Sequence, residues 1–168
     1  TGLGHLYRLF SLVETVKPYY EFTYLTKENS TFKVIPDDYA KAFIPNTISI
    51  EEEPEWLSKH YPSDRFVLIT DGYHFDSNYQ SALKKYCYKF LYIDDLAKEH
   101  LHANAVINHS PYVKKQQFKK DQQTELYLGT NYALLRPHFL NEAKQDRVIK
   151  TIENVFVCFG GADPFNLT

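Results

Sequence analysis

The sequence predicts an α/β fold: an open, doubly wound, mostly parallel sheet. Three observations carry that expectation. Short runs at 66–70, 90–93, 103–107 and 154–159 are apolar or nearly so, as strands covered on both faces of a parallel sheet must be. Strand and helix segments alternate four or five times along the chain. The runs end in Asp, Asn or Gly, residues suited to the loops beyond the carboxyl ends of strands, where such sheets bind ligands.

Taken in order, Leu6, Leu9, Phe10 and Val13 place a helix over 6–17 that Pro18 stops. Tyr20, Phe22 and Tyr24 alternate with Glu21 and Thr23, which predicts a strand over 19–25. A short helix is expected over 37–43, capped by Asp37, and a short strand over 47–50. A helix over 52–60 would carry Pro54 in its first turn, where the missing N–H costs nothing. After the strand at 66–70, Asp76 or Ser77 caps an amphipathic helix over 76–86. Strands come next at 90–93 and 103–107, then short apolar runs at 125–128 and 132–135 around Gly129. The stretch 141–150 reads as a polar linker, and 154–159 as a last buried strand before Gly160-Gly161.

Length and composition narrow the function classes. A chain of 168 residues is one domain or slightly more, long enough to bury a sizeable core without a metal or disulfide staple. With 24% charged and 43% apolar residues it is globular rather than disordered. A net charge of −2 offers no overall positive field for nucleic acid or anionic lipid. The basic run Lys114, Lys115, Lys119 and Lys120 is balanced by Glu51, Glu52, Glu53 and Glu55 and reads as solvated loop. Cys87 and Cys158 stand in no motif and are expected as reduced core residues of a cytoplasmic protein. No apolar stretch approaches the roughly 20 residues of a membrane span, and no signal peptide is visible.

The chain contains no Met and opens on a glycine-rich turn, so a piece of a longer protein, without its first strand, is expected. Residues 1–150 read as one Rossmann-like domain. Residues 151–168 read as the linker, strand and glycine turn that begin a second α/β domain.

The chemistry concentrates at the glycine turn. Gly2-Leu3-Gly4-His5 immediately precedes the first helix, where free amides favour an anion. A dinucleotide fingerprint needs a third glycine at position 7, which is Tyr7, so NAD is not expected. The helix dipole disfavours a further positive charge at its start, so His5 is either a neutral general base or a simple helix cap. Asp94-Asp95 at a strand end either orients a substrate or a histidine, or caps the next helix. His100, His102 and His109 find no Cys or carboxylate at ligand spacing, so no metal site is expected and they read as loop histidines. Cys87, late in a helix, reads as core rather than nucleophile.

These pieces together resemble the PseG family, UDP-sugar hydrolases of pseudaminic acid biosynthesis, and the related spore-coat polysaccharide biosynthesis proteins. The similarity rests on "TGLGHLYRLFSL", "TDGYHFD", "YIDDLA", "LGTNYALLRPHF" and "FVCFGGADPFNLT", which occur in the family's order along nearly the whole chain. The resemblance implies the N-terminal, sugar-side domain of a GT-B-type two-domain fold, with UDP held by a C-terminal domain. It implies hydrolysis of a UDP-linked diacetamido-trideoxy sugar by water at the anomeric carbon, with no metal or other cofactor.

By the same resemblance, His5 is the catalytic histidine, and Gly2, Leu3, Gly4, Arg8, Asp71, Tyr73, Asp94 and Asp95 are substrate-binding positions. Gly160, Gly161, Asp163 and Asn166 fall in the turn that opens the nucleotide half. Two departures stand out: Leu9 follows Arg8 where the family often has Cys, and Gly72 stands where Asp-His-Tyr is expected. The partners implied are the UDP-sugar and the absent C-terminal domain, without which this chain should be inactive. Two alternatives stay open: a GT-B-type glycosyltransferase using a UDP-sugar donor, and a non-catalytic sugar-nucleotide-binding module.

Overall fold

A computed structural model describes residues 3–30, 32–146, 148 and 150–157. The chain forms two compact units: Tyr20–Ala133, and Thr1–Tyr19 together with Leu134–Thr168.

The larger unit is built on a parallel sheet. Its strands β3 (Val67–Asp71), β4 (Lys89–Ile93), β6 (Ala105–Asn108) and β8 (Glu125–Leu128) lie in the order β3-β4-β6-β8, every neighbouring pair parallel. Before them come β1 (Tyr24–Lys27) and β2 (Lys41–Ile44), a parallel pair of their own, and α2 (Glu53–His60). Helix α3 (Ser77–Lys85) crosses from β3 to β4. The later crossovers carry a short parallel pair, β5 (His100–Leu101) with β7 (Lys119–Lys120), and a 3₁₀ turn at Lys115–Gln117 instead of an α-helix. The expected α/β fold with a mostly parallel sheet is therefore present.

The core explains the order. Leu57 of α2, Tyr79 and Leu83 of α3, Phe90 and Tyr92 of β4, and Val106 of β6 form one buried cluster with Leu101 and Phe118. Phe90 and Tyr92 share a face because strand side chains alternate. Complete burial of Leu83 alone contributes roughly 1.5–3 kcal/mol. Helix α3 starts where Asp76 accepts the amide of Tyr79 at 2.9 Å, as the sequence predicts. It ends in a Schellman motif, Tyr88 N to Leu83 O at 3.3 Å and Cys87 N to Lys84 O at 2.9 Å. That motif puts Cys87 in the left-handed region, φ 63°, and exposes it. The expected core cysteine is thus a surface cap residue.

Several expectations are corrected. Residues 37–43 form no helix; the backbone turns and then enters β2, whose pairing with β1 outweighs a weak helical pattern. Tyr39 supports that pairing by stacking on Tyr24 at 5.8 Å. The strand at 19–25 is confined to its end, with Tyr19 and Tyr20 exposed. Residues 47–50 turn into α2 rather than forming a strand, held by Ser49 N on Glu52 Oε2 at 2.8 Å. The run at 66–70 is not covered on both faces among the described residues: it borders the sheet, and Val67 is 67% exposed. Tyr132 lies in a 3₁₀ turn rather than an extended run. Residues 154–157 form no strand and are exposed, because nothing among the described residues pairs with them.

In the smaller unit, α1 (Gly4–Val16) buries Phe10, and Lys17 closes it with Lys17 N on Val13 O at 2.8 Å. Helix α4 (Pro137–Glu142) begins with Pro at its first position, inside the stretch bordering the expected linker.

Candidate functional site

Parallel pairing in register brings the ends of three strands to one edge. Asp71 stands opposite Ile93, and Ile93 opposite Ile107, so Asp71, Asp94 and Asn108 terminate neighbouring strands together. This is the carboxyl edge, where a parallel sheet presents ligand-binding loops.

Asp94 is buried there, 4% exposed, and one of its oxygens has two structural partners. Oδ2 accepts from the Ala97 amide at 2.8 Å and from Asn108 Nδ2 at 2.9 Å. The amide bond fixes a tight loop in which Ala97 has a positive φ of 51°. Of the sequence readings of Asp94, this geometry favours the cap, although the capped element is a loop that leads into β5 rather than into a helix. Asp95 is half-buried and Tyr73 exposed. Gly72 O accepts the Tyr92 hydroxyl at 3.5 Å, fastening the loop after β3.

Asn108 is fully buried, and its Oδ1 accepts the Ser110 amide at 3.0 Å. The next residue is His109, which the sequence analysis reads as a loop histidine; its Nδ1 is buried and has no hydrogen-bond partner among the described residues. Gly129 N closes this edge on Asn108 O at 2.9 Å, with φ 91° and ψ 179°, a conformation open essentially to glycine only.

The smaller unit holds the candidate base. Leu3 is the N-cap of α1, and Gly4 and His5 are its first two residues, so Gly4 is helical rather than a strained turn. Among the described residues no side chain caps this start, where an α-helix presents amides with no partner inside the helix. His5 Nδ1 lies 3.0 Å from Arg8 Nη2. A guanidinium can only donate, so Nδ1 is the acceptor and the neutral ring carries its proton on Nε2. Arg8 also lines a groove of about 210 Å³ with Gly4, Tyr7, Ser11, Leu134 and Arg136. The Arg136 guanidinium sits over Tyr7 at 5.4 Å and Phe139 at 5.1 Å, cation–π contacts that hold it on that wall. Two cations and a helix start thus face one concavity, an arrangement suited to an anion.

The loop histidines divide. His109 belongs to the carboxyl edge, whereas His100 and His102 meet Asp121, the carboxylate that the sequence spacing hides. Gly2, Gly160, Gly161, Asp163, Asn166 and Cys158 lie outside the described residues.

Comparison with known proteins adds a direction. No protein-family model matches the chain. It is 24% identical to an uncharacterised protein of Methanocaldococcus jannaschii, over 99% of this chain and 36% of that protein. It is 28% identical to the UDP-2,4-diacetamido-2,4,6-trideoxy-beta-L-altropyranose hydrolase of Campylobacter jejuni, over 99% of this chain and 58% of the enzyme. The similarity to a UDP-sugar hydrolase is distant but runs the whole length of the chain. This chain spans little more than half of that enzyme and about a third of the archaeal protein. No described helix is long and apolar enough to cross a membrane.

Proposed function

We propose that this chain is the sugar-side part of a nucleotide-sugar hydrolase in surface-glycan biosynthesis, with His5 as the base that deprotonates water. The observation that carries the reading is the His5–Arg8 pair in the first turn of α1. The lone pair a base must use is directed at a guanidinium, and that guanidinium borders a groove suited to an anion. A diphosphate in the groove competes for Arg8. As Arg8 turns to the phosphate oxygens, the Nδ1 lone pair passes to water. The water oxygen then bonds to the anomeric carbon while the carbon–oxygen bond to UDP breaks, its electron pair leaving with the diphosphate and the water proton going to His5. The end-to-end similarity to a UDP-sugar hydrolase supports the same assignment.

The remaining roles rest on the family resemblance. Leu3 and Gly4, with Gly2, shape the turn before the base, and Asp71, Tyr73 and Asp95 are substrate-binding positions. Asp94 holds the loop beside them. Residues 151–168 lead into a nucleotide-binding half, with Gly160, Gly161, Asp163 and Asn166 toward the diphosphate.

The test is UDP release by the full-length protein from UDP-linked diacetamido-trideoxy sugar, with water as the sole acceptor. His5→Asn should lower kcat by about 10²–10⁴-fold, the usual worth of general-base assistance, with a much smaller change in KM. Arg8→Gln should raise KM as well, because it loses a phosphate contact. A His5→Asn enzyme that keeps most of its turnover removes His5 as the base. UDP release that requires an added sugar acceptor turns the assignment to a glycosyltransferase.

A further inference from the structure

We propose that His100, His102 and Asp121 form a binding site for a divalent cation of the zinc class. The site does not depend on the hydrolase reading, and it lies away from the carboxyl edge of the sheet. His102 and Asp121 border a groove of about 300 Å³ along the amino ends of the strands, lined by Lys89 at the start of β4, Asn104 before β6 and Thr124 before β8.

The backbone assembles the three ligands. His100 and His102 are two residues apart at β5, so their rings take one side while Leu101 between them is completely buried on the other. β5 pairs in parallel with β7, His100 opposite Lys119 and Leu101 opposite Lys120. The next residue on the second strand is Asp121, whose amide donates to Leu101 O at 3.0 Å. Pairing alone therefore sets a carboxylate across from two imidazoles. His100 Nε2 lies 2.9 Å from Asp121 Oδ1 and His102 Nδ1 lies 3.2 Å from Asp121 Oδ2. One ligand atom from each residue falls within 4.8 Å of the others. A zinc ion bonds nitrogen and oxygen at about 2.0–2.2 Å, so inserting it needs only small side-chain shifts.

The donor set names the class of ion. Two imidazoles and one carboxylate suit zinc, cobalt or nickel rather than magnesium or calcium, which take oxygen ligands. The outer contacts are also in place. His102 Nε2 lies 3.3 Å from Ser77 Oγ, and the His102 amide donates to Oε1 of the fully buried Gln80 at 3.0 Å. A second partner on the non-ligating ring nitrogen orients a ligand histidine. Lys84 is the competitor: its ammonium pairs with Asp121. Its side chain is 52% exposed and can swing into water when a dication takes its place.

The test uses the full-length protein stripped with a chelator, then titrated with zinc by calorimetry and with cobalt by visible absorption. Binding of a single ion, a raised melting temperature and cobalt bands of tetrahedral character are expected. His100→Gln and His102→Gln should each weaken binding more than about tenfold, and Ser77→Ala by about tenfold, the range seen for outer-contact mutations. Lys84→Gln should tighten binding. If neither wild type nor Lys84→Gln binds either metal, the proposal falls and Asp121 is only the partner of Lys84. Binding that survives both histidine substitutions also overturns it. Should His102→Gln fail to fold, the more exposed His100 and Lys84 variants decide.

Discussion

The two ends of the parallel sheet are built on opposite principles. At the carboxyl edge two polar side chains are buried and held by fixed hydrogen bonds: Asp94 with Ala97 N and Asn108 Nδ2, and Asn108 with Ser110 N. Toward the amino end a lysine and two histidines, all partly exposed, gather on one carboxylate, Asp121. Hydrogen bonds from Lys84 and then His100, with His102 also contributing, hold the Asp121 carboxyl well below the usual carboxylate range. Burial makes the first arrangement rigid and costly to break. Solvent makes the second cheap to rearrange and open to another cation.

If that contrast is right, mutation costs must differ between the ends. The largest effect expected is from Asp94→Ala, which strands a part-buried backbone amide and a buried side-chain amide at once. It should destabilise the protein by about 3 kcal/mol, read from urea unfolding. A loss under about 1 kcal/mol would mean that water reaches this edge freely and the contrast is wrong. Gly129→Ala comes next. Its Cβ meets nothing within 4 Å, so the whole cost is backbone strain at φ 91°, about 1–3 kcal/mol by the same measurement.

At the other end, Asp121→Asn should cost only about 1 kcal/mol or less, and the loss should shrink in high salt, as for exposed ion pairs. A larger, salt-independent loss would place Asp121 with the buried groups of the carboxyl edge. The smallest effect is a gain. Cys87→Gly relieves a left-handed residue at the α3 terminus and should stabilise by about 0.5–1 kcal/mol in thermal or urea unfolding. No gain would mean that the motif, rather than the side chain, sets the cost there.

A different kind of burial lies beneath α2. Glu53 is 4% exposed but accepts from Tyr79 Oη at 3.2 Å and pairs with Lys27 Nζ at 2.7 Å. Burial first, and then the Glu53 charge, pushes the Tyr79 phenol up from its ordinary range. From the sequence Glu53 is one of an acidic run and reads as solvated. Only the approach of β1 and α3 makes it a buried, paired charge.

The sequence alone determined what depends on neighbours along the chain. Periodicity located α1 and α3, Pro54 pointed to the start of α2, the Asp76 side chain announced the start of α3, and unbroken apolar runs marked β4 and β6 as buried strands. The carboxyl-edge position of Asp71, Asp94 and Asn108 came from those runs, because a parallel strand's last residue must face the binding edge. The tertiary structure decided what depends on chain crossing. Residues 41–44 pair with 24–27 because an open strand edge nearby offers hydrogen bonds that a weak helical pattern cannot match. His100, His102 and Asp121 meet because β5 and β7 pair across an intervening strand, and no spacing rule reports that. Asp94 became a loop clamp because Asn108 arrived beside it, a contact set by sheet register rather than by the two aspartates in the sequence.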